Sequence, residues 1–226
     1  MPTDSSSGRT ATIAYVAPFA AFVILLSLDH AVAFPPEIFT PLRFLAVLLI
    51  LLFVSRPFVT LRPSHPVASI AVGAAVFLIW IGPDVLFGYR HHWLFENPLM
   101  GSAVSSIPPD LRNRVWFRVL RILSTVTLVP ILEELFWRGW LMRLLIAPDF
   151  QKVPLGQYAP SAFWLTAILF ASEHGAYWDV GLAAGIVYNW WIIRCKNLSD
   201  CILAHAVTNA LLAAYVLMAG QWQYWL

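Results

Sequence analysis

The sequence predicts an all-α protein: a polytopic transmembrane bundle of about seven or eight helices. Hydrophobic residues make up 60% of the chain and charged residues only 12%, whereas soluble domains are about a quarter charged. The mean hydropathy is +0.72. The apolar residues also form runs close to the ~20 residues that a helix needs to cross a bilayer. This composition excludes a disordered chain, a nucleic-acid-binding protein and an ordinary cytosolic enzyme.

The N-terminal half contains three predicted spans. Residues 1–10 form a polar tail, and residues 11–226 form a single transmembrane helical domain. A polar connection from Tyr89 to Asn113 follows the third span. Aromatic and charged residues alternate in it, as they do in segments that lie at a membrane interface. The predicted spans are Ala11–Leu28, Leu42–Val54 and Val67–Ile81.

The C-terminal half begins with Val115–Ile146, which is too long for one simple span. Pro130 lacks the N–H that a helix requires, so we expect a kink or break near it. We interpret Cys195 and Cys201 as small apolar residues without a disulfide or metal role. Three further helices with short connections are predicted at Ser161–Ser172, Val180–Ile193 and Cys201–Ala219.

The distribution of basic residues predicts a cytoplasmic N-terminus, because Lys and Arg are enriched in cytoplasmic loops. Arg56 and Arg62 in the second loop, and Arg194 after the sixth apolar run, fit this orientation. The arginines between Arg112 and Arg121 would then lie outside, which contradicts the rule.

Two adjacent glutamates interrupt the apolar segment at Glu133 and Glu134. An ionisable side chain at the centre of a membrane helix costs roughly 2.5–3.5 kcal/mol, so partners or a role are expected. Glu134 and Arg138 are four residues apart and share a helix face. The simplest interpretation pairs these two and leaves Glu133 facing a cavity. The alternative is that both acids form ion pairs that hold helices together.

Two more polar pairs occur in later apolar runs. Phe170 and His174 share a face if their helix continues that far, and His205 and Asn209 share one in the last run. Taken alone, His174 is better explained as a helix-end residue or a satisfied core histidine. Taken alone, His205 and Asn209 fit hydrogen bonds between helices, worth about 0.6 kcal/mol per pair.

Together these residues supply the groups that a hydrolytic site needs. A carboxylate takes a proton from water, and a histidine orients or shares that proton. A histidine and an amide on one helix face can donate hydrogen bonds to a developing oxyanion. The sequence therefore predicts an active site in a membrane-embedded cavity, with its motifs within residues 115–220.

The three motifs resemble those of the CAAX prenyl protease and bacteriocin-processing family of intramembrane proteases. That family carries Glu-Glu-x-x-x-Arg, Phe-x-x-x-His and His-x-x-x-Asn, in this order, on separate transmembrane helices. All three are intact here and cover roughly the C-terminal half. A narrower resemblance is to bacterial members associated with exosortase-type protein-sorting systems, which implies such a system as a partner.

The resemblance implies a protease that uses a glutamate-activated water, without a covalent enzyme intermediate or a cofactor. Glu133 would be the general base, and His174 would bind and polarise the water. His205 and Asn209 would form the oxyanion site. The implied substrate is a membrane-associated or lipid-modified peptide, cut near its C-terminus at the cell membrane. The supporting residues would be Glu134, Arg138 and Phe170.

A zinc-dependent membrane protease is the nearest alternative. Glu133, His174 and His205 could supply the two histidines and one carboxylate that catalytic zinc accepts. No His-Glu-x-x-His motif occurs in the chain to support it. We interpret the His91-His92 pair as interfacial residues with nothing to complete a metal site.

Two non-enzymatic classes also stay open. The chain could be a membrane scaffold or immunity protein that keeps the motifs for helix packing, although a binding protein has no need of a free buried acid. It could also be a transporter, because buried acids mark proton relays. The chain has no inverted repeat and no broken helix pair of the kind transporters use.

Overall fold

A computed structural model describes residues 5–32, 35–105 and 107–225. Within these ranges the chain forms eight helices and no β-strand, which confirms the predicted all-α bundle. The connections between the helices contain 3₁₀ turns and an isolated β-bridge between Asn97 and Gly101. In chain order the helices are α1 (Ser5–Val32), α2 (Pro36–Phe58), α3 (Pro66–Phe87), α4 (Pro109–Arg112), α5 (Val115–Leu144), α6 (Pro160–Ser172), α7 (Trp178–Cys195) and α8 (Leu198–Ala219).

Among the described helices, five are long and apolar enough to cross a membrane: α1, α2, α3, α5 and α8. Only 11% of the most apolar stretch of α3 is buried inside the protein. Exposed side chains such as Leu78 and Phe87 therefore need an apolar surrounding, which lipid provides. The thirteen residues of α6 are about 20 Å long, shorter than the ~30 Å hydrocarbon core. The chain is a multi-pass membrane protein.

The helices extend beyond the predicted spans. α3 continues through Gly82 and Pro83 to Phe87, although the sequence predicted its end at Ile81. In hydrocarbon, backbone groups that leave a helix find no water, so one bond lost at a proline costs less than ending the helix there. α2 begins at Pro36, six residues before the predicted start, because proline is favourable at the first helical position.

Of the kink or break expected near Pro130, the break does not form, because the helix continues through this residue. α5 contains a π-helical turn at Ser124–Leu128, in which the Val129 N–H donates to the Ser124 carbonyl, five residues earlier. The same register pairs the Thr125 carbonyl with Pro130, which has no N–H. Asn209 of α8 donates its Nδ2–H to the Thr125 carbonyl at 2.8 Å. A side-chain hydrogen bond thus replaces the missing backbone bond, and the helix continues.

α3 and α8 pack with their backbones in close contact. A Cβ added to Gly73 would lie 2.3 Å from the Ala204 carbonyl oxygen, so only glycine permits this approach. The Thr208 hydroxyl of α8 donates to the Gly73 carbonyl at 2.8 Å and accepts from the Tyr188 hydroxyl of α7 at 2.7 Å. Small residues and hydroxyls commonly join membrane helices in this way. Three helices are thereby fixed around the middle of the bundle.

The polar connection after α3 is anchored by Arg90. This side chain is buried, and its Nη1 donates to Asp179 at 2.6 Å and to the Ala176 carbonyl at 2.8 Å. Burial and the hydrogen bond to Asp179 raise the pKa of Tyr89 to about 12, so the phenol stays protonated as a donor. His91 is exposed and lies 3.0 Å from Glu96.

The opposite end of the bundle is held by a buried acid. Asp200, in the first turn of α8, is 0% exposed and accepts hydrogen bonds from the backbone N–H groups of Ser64 and His65 and from the Ser69 hydroxyl. These bonds fix the α2–α3 connection against α8. Cys195 and Cys201 nearby are buried free thiols.

Candidate active site

A cavity of about 170 Å³ lies between α3, α5, α6, α7 and α8. It extends from the middle of the bundle towards the end at which α3, α6 and α8 terminate. Trp80, Tyr188, Tyr224 and Trp225 contribute aromatic walls. The structure brings five of the predicted site residues into this wall: Glu133, Phe170, His174, His205 and Asn209.

The two adjacent acids have different surroundings. Glu134 is 0% exposed, and its Oε1 accepts from Arg138 Nη1 at 3.1 Å and lies 2.9 Å from His205 Nδ1. The predicted Glu134–Arg138 pair is therefore present. Glu133 stands in the cavity wall, with its Oε2 3.9 Å from His205 Nε2 and without a hydrogen bond to the described residues. His205 lies between the two carboxylates.

Arg138 is fully enclosed by polar and aromatic groups. Its Nε donates to Asn189 Oδ1 at 3.0 Å, and its Nη2 donates to the Gly185 carbonyl at 3.4 Å. Asn189 Nδ2 in turn donates to the Phe163 carbonyl at 2.8 Å. The guanidinium also lies over the Phe170 ring, 4.5 Å from its centre, where the ring's electrons attract the cation. The arrangement ties α5 to α6 and α7 behind the cavity.

His174 is oriented by the carbonyl of its own motif partner. Its Nδ1 donates to the Phe170 carbonyl at 2.7 Å, so in the neutral ring Nε2 carries the lone pair. The ring also contacts Trp80, with centres 5.2 Å apart. A Cβ added to Gly181 would lie 3.1 Å from Nδ1, so the absence of a side chain there makes room for the imidazole.

His205 and Asn209 project from one face of α8, as their spacing predicts. The imidazole stacks on Tyr188 with ring centres 5.1 Å apart and planes inclined by 23°. With Nδ1 donating to Glu134, Nε2 faces Glu133. The amide of Asn209 gives one N–H to the Thr125 carbonyl and has a second that can serve the cavity.

The zinc alternative requires three ligands that converge on one point. Among the described residues, no three His, Cys, Asp or Glu side chains are grouped so that they could hold a metal ion. Glu133, His174 and His205 share a cavity wall, and Nδ1 of His205 is already occupied by Glu134. A zinc site would need these side chains to regroup.

Sequence reasoning missed the residues that hold the motifs in place. Asn189 accepts a hydrogen bond from Arg138, and Tyr188 stacks on His205. Thr208 links three helices through its hydroxyl. One signal was available: Asn189 is a polar residue inside an apolar run, where polar groups are costly. The hydrogen bond from Asn209 to Thr125 could not be found from spacing, because it depends on how α5 and α8 pack.

The fold and this cavity define a multi-pass membrane protein with a buried site of acids, histidines and an amide. The family model described as Type II CAAX prenyl endopeptidase Rce1-like matches residues 114–211, a stretch that contains all three motifs. The resemblance inferred from the motifs is thereby confirmed over this segment, a little under half of the chain. Comparison with curated proteins and with solved structures gives no significant match. The match supports a membrane endopeptidase of the CAAX type, and hence a hydrolase.

Proposed function

We propose that this protein is an intramembrane endopeptidase of the cell membrane that cuts a membrane-associated or lipid-modified peptide near its C-terminus, using a glutamate-activated water. One observation carries the proposal: Glu133 stands in the wall of a cavity with His174, His205 and Asn209, whereas Glu134 is committed to Arg138 and His205. An acid used only for packing would be paired as Glu134 is. An exosortase-type sorting system is proposed as a partner on sequence resemblance alone.

The geometry around Glu133 leaves a place for the attacking water. Its Oε2 is 3.9 Å from His205 Nε2, too far for a direct hydrogen bond. One water about 2.8 Å from each atom can contact both, a usual hydrogen-bond length. His174 lines the same cavity, and its Nε2 lone pair can accept a hydrogen from that water.

The proposed reaction uses these groups in turn. Glu133 takes a proton from the water, and the oxygen attacks the scissile carbonyl carbon. Negative charge moves to the carbonyl oxygen, where the second N–H of Asn209 stabilises it, together with the Nε2–H that His205 carries when both of its ring nitrogens are protonated. The tetrahedral intermediate collapses, the C–N bond breaks, and the proton held by Glu133 goes to the leaving nitrogen. The products are a carboxylic acid and an amine, and the enzyme is unchanged.

The test compares protein termini in cells that carry the wild-type chain, Glu133→Gln or Glu96→Gln. Glu96 lies in the polar connection and does not line the cavity, so it is a matched control for removal of one carboxylate. We expect new C-termini of membrane or secreted proteins with the wild type and with Glu96→Gln only. These termini would also identify the substrate.

Identical termini in all three strains, at equal amounts of folded protein, would contradict the proposal and favour a scaffold or immunity role. Full cleavage by Glu133→Gln would contradict the mechanism while leaving the protease assignment intact. A chelator added during the reaction tests the zinc alternative. Loss of cleavage that only zinc restores would indicate a metalloprotease.

A further inference from the structure

One end of the cavity that contains Glu133 is formed by the segment that follows α8. We call this segment, residues 221–225, the strap. α8 ends at Gly220, whose φ of 68° is left-handed, and the chain then makes a 3₁₀ turn at Trp222–Tyr224. Tyr224 and Trp225 are 7% and 4% exposed, and both line the cavity. The strap is therefore part of the cavity wall, although it belongs to no membrane-spanning helix.

Three hydroxyl groups hold the strap in place. The Tyr224 hydroxyl donates to Asp84 Oδ2 at 2.8 Å, and the Tyr177 hydroxyl donates to the Gln223 carbonyl at 3.1 Å. The Ser105 hydroxyl donates to the carbonyl of the last strap residue at 3.0 Å. Two of these three bonds hold main-chain carbonyls, so the strap is bound largely through its backbone.

The cavity is too small for a peptide while the strap is in place. Its volume is about 170 Å³, whereas ligand sites in proteins usually measure about 300–1,000 Å³. A few water molecules, of about 30 Å³ each, fit into this space. A peptide does not fit, so part of the wall must move before a scissile bond reaches Glu133.

The helices of the wall are joined more firmly than the strap. α3 and α8 are in backbone contact at Gly73, and the Thr208 hydroxyl links three helices. Moving these helices apart would break hydrogen bonds inside the membrane, where no water replaces them.

The strap lies where water can replace its bonds. Gln223 lines a second cavity, of about 310 Å³, together with the exposed His91 of the polar connection. A hydrogen bond that is exchanged for one to water contributes little net free energy, so three such bonds can open at moderate cost. Gly220 supplies a pivot, because it is exposed and an added Cβ would meet no atom within 4 Å.

We propose that the strap is a lid over the cavity and that a peptide substrate enters by displacing it. The inference rests on the proposed protease function for the identity of what enters, whereas movement of the strap can be measured without cleavage. Displacement removes the rings of Tyr224 and Trp225 from the wall, which enlarges the cavity and joins it to the aqueous phase at this end of the bundle.

The experiment measures access to a thiol inside the cavity. Val129 lines the cavity one helical turn before Glu133, so Val129→Cys places a cysteine there. The full-length protein in phosphatidylcholine nanodiscs is treated with a charged maleimide, which does not arrive through the lipid. Mass spectrometry gives the labelling rate of each cysteine. Cys201 is 0% exposed and reports unfolding of the whole protein.

The double variant Tyr177→Phe/Tyr224→Phe removes two of the hydroxyls and keeps both rings. We expect it to raise the labelling rate of Val129→Cys about tenfold without a change at Cys201, because fewer bonds hold the strap closed. Tyr158→Phe is the matched control and is expected to be labelled as the parent is. This tyrosine is exposed, precedes α6 at the opposite end of the bundle and does not line the cavity.

A second variant opens the strap without altering a ring. Ser105→Ala removes the third bond and is expected to raise the labelling rate about threefold, the effect of one hydrogen bond. Thermal unfolding verifies that each variant is folded. A lipid-soluble maleimide is used in parallel, because it can reach the cavity from the bilayer.

Equal labelling of the parent, the double variant and Ser105→Ala would overturn the proposal, as would a rise at Val129→Cys that is matched at Cys201. Labelling by the lipid-soluble reagent alone, at a rate that no strap variant changes, would overturn it in favour of entry between the helices. In each case cleavage detected by the terminus comparison would leave the protease function standing. Identical termini from a protein whose strap opens would contradict the protease function alone.

Discussion

Glu133 and Glu134 are neighbours in the chain and both lie near His205, but their surroundings differ. The turn of the helix directs Glu134 towards Arg138 and His205, where it is fully enclosed. It directs Glu133 into the cavity wall. A buried charge needs a partner, and the single arginine of this motif is already used by Glu134. The division of roles between two identical side chains thus follows from the position of one base.

Arg138→Ala is expected to reduce the amount of folded protein, because it removes the arginine that pairs with the buried Glu134 and leaves His205 as the remaining partner among the described residues. Breaking a buried ion pair costs about 3–5 kcal/mol. Thermal unfolding and the yield of monodisperse protein in detergent measure the effect. Lys152→Ala is the control, since the Lys152–Asp149 pair is exposed and worth little. Unchanged stability of Arg138→Ala would mean that the pair does not support α5.

Gly181→Ala is expected to slow cleavage with little loss of stability. The added Cβ would lie 3.1 Å from Nδ1 of His174, so the imidazole must shift by a few tenths of an ångström. We expect about a tenfold loss, less than the ~10²-fold that a 1 Å misplacement can cost. Gly82→Ala is the matched control, because its Cβ would meet no atom within 4 Å. Equal rates for both variants would show that His174 is not held by this contact.

The helix α5 carries both the proposed general base, Glu133, and a backbone defect, and α8 corrects the defect. The π turn at Ser124–Leu128 and Pro130 together leave the Thr125 carbonyl without a backbone donor. The side-chain N–H of Asn209 donates to this carbonyl instead. The same amide that is proposed to bind the oxyanion therefore also holds α8 to α5. Its position in the cavity is fixed by this bond.

Asn209→Ala is expected to lower both activity and stability. Loss of an oxyanion donor costs about 10²–10³-fold in rate, and an unsatisfied buried carbonyl costs about 1–3 kcal/mol. Adding Pro130→Ala supplies a backbone N–H for Thr125, so the double variant is expected to regain stability but not cleavage. Thermal unfolding and single-turnover cleavage separate the two effects. Recovery of both would argue that Asn209 has only a structural role.

The whole molecule is asymmetric between its two ends. The cavity extends towards the end at which α3, α6 and α8 terminate, where Arg90 is paired with Asp179 and Arg112 donates to the Ile107 carbonyl. The opposite end carries basic residues in its loops and helix termini: Arg56, Arg62, Arg143, Lys152, Arg194 and Lys196. Arg112, Arg114 and Arg118 at the cavity end run against the rule that cytoplasmic loops are basic. From the basic residues of the opposite end, we expect the end with the cavity to face away from the cytoplasm.

This orientation is tested with a membrane-impermeant maleimide applied to intact cells. Leu99→Cys, 85% exposed on the cavity side, is expected to be labelled, whereas Lys152→Cys on the opposite side is labelled only after the cells are opened. The native cysteines are buried and give little background. The reverse pattern would place the cavity on the cytoplasmic side and direct the search towards cytoplasmic substrates.

Much of the fold was predictable because the hydrocarbon core of a membrane offers no hydrogen-bond partners to the backbone. Apolar runs of sufficient length must be helical, so the helices and their order follow from composition. Their ends did not follow, since α3 passes Pro83 and α5 passes Pro130. Whether a helix continues past a proline depends on which groups lie near the carbonyl that loses its hydrogen bond. The local sequence does not specify these groups, because they come from other helices.

The sequence by itself determined the class of the protein, the three motifs and the pairing of Glu134 with Arg138, because spacing along one helix fixes which side chains share a face. Only the tertiary structure decided that His205 lies between both acids and that Asn209 completes α5. Those contacts join residues on different helices, and their distances are set by how closely the helices pack.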